Sequence, residues 1–205
     1  MSGFLATGVW IGSRLGLAAD QAAAELMALH DGGARGDTFN RWLEGHGLDV
    51  REYLEPLVQA YRRHAPRIEP YAAVPGMLGR LHEAHRLGLV TDGLSDVQER
   101  KLSALGIAGH FDAVVFSDLY GKEAWKPSVK PFEIALAKLG CLAEDSAYIA
   151  DNPLKDFLGA RRLGMATIRV RHEGGYYAMC QPPTPEHAPD LEIEDIGCLE
   201  RIIHG

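Results

Sequence analysis

A chain of 205 residues with 46% hydrophobic content and a net charge of −7 suffices for one large domain, or for a core plus a smaller module. No basic run stands out, which argues against a nucleic-acid surface. Three cysteines (Cys141, Cys180, Cys198) without a CxxC pair argue against a disulfide framework or zinc knuckle and fit a reducing cytoplasm. The apolar stretch from Phe4 to Ile11 is too short to span a bilayer and lacks a leader's cleavage pattern.

Residues 1 to about 65 read as helical throughout. Ala18 to His30 places Ala22, Leu26 and Leu29 on one face, with Gly32-Gly33 as the stop. Asp37 is expected to cap a short helix carrying Phe39, Trp42 and Leu43. Asp49 with Glu52 forms a capping box for a helix whose stripe is Val50, Leu54, Leu57, Val58 and Tyr61, with Pro56 inside it as an expected kink. Three prolines (Pro66, Pro70, Pro75) mark 65–75 as a linker.

After the linker, helix and strand alternate. Met77 to His85 is read as helix, Gly88 to Thr91 as strand, Asp96 to Leu105 as helix and Ala113 to Phe116 as strand. Pro131 to Leu139 follows as helix, Ala147 to Ala150 as strand, Asp156 to Leu163 as helix and Ala166 to Val170 as strand. A Pro/Gly-rich loop, a strand Leu191 to Ile193 and a helix to Ile203 close the chain. This alternation implies an α/β fold with a mostly parallel sheet, whose ligands bind outside the carboxyl ends of the strands.

Three polar groups stand at such strand exits. The first is Thr91-Asp92-Gly93, where a strand ends in a hydroxyl, a carboxylate and a glycine, and Ser95 with Gln98 forms a capping box for the next helix. A hydroxyl and a backbone N–H delivered to a helix N-terminus make an anion seat. The second is Lys126, in Trp125-Lys-Pro-Ser128. The third is Asp151-Asn-Pro-Leu-Lys-Asp156, whose two carboxylates can converge on one hard cation such as Mg²⁺. A lysine nearby would offset the charge of a phosphate. Each piece alone also has a scaffold reading: a turn, a helix-favouring acid, a surface Lys-Pro. Their joint order carries the argument. His82 and His85, three apart on a helix, read as surface residues for want of a third ligand.

These motifs, with Gln98 and Lys101, Lys126-Pro-Ser-Val-Lys-Pro-Phe132, Gly159-Ala-Arg161 and Gly164-Met165, resemble the haloacid dehalogenase superfamily over residues roughly 72 to 170. The resemblance implies a Rossmann-like core at 69–205 and an α-helical cap at 1–68. It implies Thr91 and Lys126 as catalytic residues, Thr91, Asp92, Gly93 and Lys126 as the phosphate seat, and Asp151 with Asp156 at Mg²⁺. Dehalogenases of the family carry a serine where this chain has Asp151, so the resemblance points to the phosphatase branch. The expected activity is hydrolysis of a small phosphate monoester by a cytoplasmic monomer or homodimer, with no nucleic acid and no membrane as partner. A non-catalytic phosphate- or partner-binding relic is the alternative, and a 2-haloacid dehalogenase-like hydrolase the third.

Two departures stand out. Ala150 replaces a usual glycine. More seriously, the family's nucleophile is an aspartate with a second two residues on, and no Asp-x-Asp occurs in this chain. In the family that strand lies between those ending at Thr91 and Ala150, so its removal leaves a slot roughly 10 Å wide. Three expectations follow: Phe4 to Ile11 fills the slot, the sheet closes or pairs in trans, or the gene product is longer. The last is the preferred reading.

Overall fold

The structure, a computed structural model, describes residues 2–34 and 36–204. The chain divides into two compact units, Met1–Ile68 and Glu69–Gly205.

The first unit is helical: α1 (Ser2–Leu15), α2 (Ala19–Asp31), α3 (Thr38–Gly45) and α4 (Val50–Arg63). Phe4, Ile11, Leu26, Trp42, Leu43 and Leu57 form its core. In α1 the buried positions Phe4, Thr7, Gly8 and Ile11 recur with helical spacing, so Phe4 to Ile11 is one face of a helix. That overturns its reading as a slot-filling strand. Gly8 is required where α1 meets α2, because a Cβ there would lie 2.3 Å from the Ala19 carbonyl. Asp49 caps α4, accepting from Arg51 N at 2.8 Å. Asp37 precedes α3 but makes no side-chain cap; Arg41, one turn on, takes its carboxylate at 2.7 Å. The helix α4 runs through Pro56 without interruption.

The second unit comprises α5 (Val74–Ala84), β1 (Gly88–Thr91), α6 (Ser95–Leu105), β2 (Ala113–Phe116), α7 (Lys130–Leu139), β3 (Ala147–Ala150), α8 (Asp156–Arg162), β4 (Ala166–Val170), β5 (Leu191–Ile193) and α9 (Leu199–His204). Short 3-10 turns at Ser117–Tyr120 and Lys122–Ala124 fill the path from β2 to α7. All strand pairs are parallel, as βαβ crossovers require. They form two sheets, β1-β2 and β3-β4-β5. The strands β1 and β3 do not pair, so the sheet has not closed up. A cavity of about 310 Å³ is lined by residues 88–90 and 147–149 of these two strands, with Met77, Leu81 and Leu199. A second, of about 500 Å³, is lined by the same strands with Phe132 and Leu136 of α7. The buried Met77, Leu81, Ile168, Ile193 and Leu199 form the core of this unit.

Candidate active site at the carboxyl ends of the strands

The strand β1 ends at Thr91, and Gly93 turns the chain with φ +107°, a backbone state that disfavours any other residue. The expected capping box does not form. The helix α6 starts at Ser95 with no side-chain cap. The Gln98 side chain instead accepts a hydrogen bond from Thr91 Oγ1 at 3.2 Å, and Ser95 N donates to Asp118 Oδ2 at 3.1 Å. Both partners of the box are thus drawn to the strand-end loops.

Asp92 gathers three of those loops. Its Oδ1 accepts from Ser117 Oγ at 2.8 Å and from Lys126 N at 3.2 Å; its Oδ2 accepts from Lys155 Nζ at 2.6 Å. Burial works to raise the Asp92 pKa, but the Lys155 hydrogen bond, the Lys126 charge and the Ser117 hydroxyl outweigh it and hold the carboxyl below its ordinary range.

The Lys126 side chain runs inward. Its Nζ lies 2.9 Å from Asp156 Oδ1 and donates to Tyr148 Oη at 2.9 Å. Burial pulls the ammonium pKa down, yet Tyr148 and Asp156 more than compensate and hold it above its ordinary range. Tyr148 is fixed edge-on to Phe132, with ring centroids 4.7 Å apart. Burial, the largest influence, pushes its phenol up to about 12, so Tyr148 is a neutral partner at neutral pH.

Asp156 opens α8 and folds its own turn, Oδ2 accepting from Asn152 N at 3.1 Å. Asp156 Oδ1 is buried and accepts no well-aligned hydrogen bond. The 2.9 Å approach of Lys126 is nevertheless an ion pair, because Coulomb attraction does not depend on the donor angle. Asp151, at the tip of β3, is exposed to solvent. Its carboxyl is pushed up, first by the protein packed on its inner side and then by the charge of Asp156; solvent on the outer side weakens that shift. No group of three or more His, Cys, Asp or Glu suited to a metal occurs among the described residues. His82 instead meets Asp112 at 3.1 Å on the surface.

Hydrogen bonds and ion pairs thus link the three loops: Ser117 Oγ to Thr91 O at 3.1 Å, Asp92 to Lys126, Lys126 to Asp156, and Lys155 back to Asp92. Sequence reasoning missed Lys155 and Tyr148. It also gave no account of the loop bearing Tyr176 and Tyr177. That loop is held by Arg169, fully buried in β4, which donates to the carbonyls of Tyr177 and Cys180, each at 2.8 Å, and pairs with Glu192 at 2.9 Å. With Tyr71 and His172 it walls a cavity of about 690 Å³ that reaches Asp151. A separate cavity of about 460 Å³ in the helical unit, beside Trp42 and His46, holds none of these groups.

Acids and a lysine gather at the carboxyl ends of parallel strands, where α/β sheets bind ligands, and residues 35–170 match the haloacid dehalogenase-like hydrolase family. The chain belongs to that family. It is 40% identical over 128 residues to a glyceraldehyde 3-phosphate phosphatase of Methanopyrus kandleri, covering 62% of this chain and 53% of that one. It is 34% identical over 176 residues to a phosphoserine phosphatase of Thermus thermophilus, covering 84% and 66%. The chain therefore spans between half and two thirds of these relatives' lengths. Its fold is similar to that of L-2-haloacid dehalogenase from Xanthobacter autotrophicus, with TM-score 0.63, 23% identity and coverage of 82% and 74%. It is also similar to that of an HAD phosphatase from Thermococcus onnurineus, with TM-score 0.61, 24% identity and coverage of 98% and 88%. No helix among the described residues is long and apolar enough to cross a membrane.

Proposed function

We propose that this chain carries the phosphate- and metal-binding part of a Mg²⁺-dependent phosphomonoester hydrolase of the cytoplasm, acting on a small phosphorylated metabolite. The observation that carries the reading is the buried Lys126 ammonium, set against Asp156 and linked through its own backbone N–H to Asp92. Thr91 Oγ1 and the backbone following it would bind the phosphoryl oxygens, and Lys126 would meet their charge. Asp151 and Asp156 would hold the metal. The residues fit it: Mg²⁺ takes oxygen ligands and keeps several waters, so two carboxylates suffice, and Asp156 Oδ1 is a buried acceptor without a well-aligned donor. Bound there, the ion would neutralise charge on the substrate. No Asp-x-Asp occurs among these 205 residues, so they do not themselves supply the family's nucleophilic carboxylate pair. The helical unit, residues 1–68, is read as the cap that selects the substrate.

The test is release of aryl alcohol from a generic aryl phosphate with Mg²⁺, by this chain and by the same chain carrying an upstream Asp-x-Asp strand. Activity in the extended form, reduced by roughly a thousandfold in Asp151→Ala, is expected; inactivity of both forms refutes catalysis. The lack of Asp-x-Asp favours, as a second reading, a binder without turnover. It predicts a melting temperature raised by phosphate and Mg²⁺ together, with no hydrolysis in either form.

A further inference from the structure

We propose that Lys126 is an exchangeable counter-ion. A divalent cation at Asp151 and Asp156 and a phosphate at the tip of β1 then bind as one coupled event, in which the ammonium leaves Asp156 for the anion. The proposal rests on the metal and phosphate reading above and adds to it a linkage between the two guests.

The pair sits where an exchange is possible. The Lys126 and Asp156 side chains are 8% and 5% exposed, so neither charge can be left alone without a replacement. Their contact is Coulombic and not directional: Nζ is 2.9 Å from Oδ1, yet Oδ1 accepts no well-aligned hydrogen bond. The contact is held by charge at close range, so another cation can take the ammonium's place at that oxygen. The carboxylate stays in place meanwhile, because Asn152 N holds its other oxygen. Tyr148 Oη accepts from the ammonium at 2.9 Å and offers a neutral partner throughout the move.

Charge counting gives the direction. Three carboxylates (Asp92, Asp151, Asp156) face two ammoniums (Lys126, Lys155), and each ammonium already sits on a carboxylate. Neither lysine is available to an anion until something else compensates its acid. A divalent cation on Asp151 and Asp156 makes Lys126 the surplus charge there, and a phosphate at the end of β1 would be its new counter-ion. Lys155 is the internal control. It carries the same charge but is hydrogen-bonded at 2.6 Å to Asp92, and its ion pair is with that acid and not with Asp151 or Asp156.

The experiment is calorimetric titration of MgCl₂ into the whole chain, with and without inorganic phosphate, for wild type, Lys126→Met, Lys155→Met and Asp151→Asn. Without phosphate, Lys126→Met should bind Mg²⁺ roughly tenfold more tightly than wild type, because no ammonium competes. Lys155→Met should differ from wild type by less than about threefold, since its ammonium is paired with Asp92 and not with Asp151 or Asp156. Phosphate should tighten Mg²⁺ binding in wild type and do so much less in Lys126→Met. Equal or weaker Mg²⁺ binding by Lys126→Met overturns the exchange, and so does a gain in Mg²⁺ affinity without phosphate that is as large in Lys155→Met as in Lys126→Met. If Lys126→Met is too unstable to titrate, thermal melts decide. A larger Mg²⁺-induced rise than in wild type supports the proposal, and a rise no larger refutes it. Mg²⁺ binding that Asp151→Asn abolishes but Lys126→Met leaves unmoved would sink the exchange alone. Absence of Mg²⁺ binding in every form would sink the metal reading with it.

Discussion

Asp92 is the residue on which the strand-end loops converge, through Ser117, Lys126 and Lys155. Its folded pKa is lowered, so its contribution to stability is fully present above the unfolded carboxylate value near ~3.9 and is lost as pH falls through the folded value. Wild type should therefore lose melting temperature steeply below about pH 4, and Asp92→Asn should lose less over the same window. A variant whose acid limb matches wild type would show that other carboxylates dominate. At this scale the sequence located Thr91 at the end of β1 and Asp151 directly after β3, and Lys126 in the loop between β2 and α7. Lys155 was hidden because it reads as a spacer inside Asp151-Asn-Pro-Leu-Lys-Asp156, and Tyr148 because it reads as the body of a strand. Their roles come from partners 63 and 22 residues away in the chain, which no local pattern encodes.

The close approach of α8 to the Lys126 loop depends on Gly159. A Cβ at that position would lie 2.7 Å from the carbonyl oxygens of both Pro127 and Ser128, and 2.9 Å from the Phe132 ring. Two of those neighbours are backbone, which cannot yield cheaply. Gly159→Ala should thus destabilise by about 1–3 kcal/mol in urea unfolding, as overpacking does. It should also weaken phosphate binding by displacing Lys126, whereas a cost near zero would show that the loop has room to move. The strands were read to the residue from β1 to β5: β1, β2 and β3 are short, mostly apolar runs closed by Asp92, Ser117 and Asp151, and β4 and β5 alternate apolar with polar residues. Helix starts were read late: α5 begins at Val74 and α7 at Lys130, each with proline in the first turn, where a missing N–H has no cost. The Ser95–Gln98 box had the right spacing and still failed, since Thr91 offered Gln98 a tertiary partner.

At the scale of the whole molecule the two units rest on different cores, one around Leu26, Trp42 and Leu57, the other around Leu81, Ile168 and Ile193. Trp42 is buried, donates to Glu25 at 2.9 Å and stacks on His46 at 4.1 Å. Trp42→Ala should cost the helical unit about 3–5 kcal/mol, seen by calorimetry as a lowered transition for that unit and a far smaller change for Glu69–Gly205. That β1 and β3 do not pair with each other has a different consequence. In a parallel ladder, alternate residues present their N–H groups to opposite sides, so about half the amides of each strand look away from their one partner strand. Those amides should trade their protons for deuterium through local opening, long before the molecule unfolds as a whole, while the amides shared between β3 and β4 stay protected.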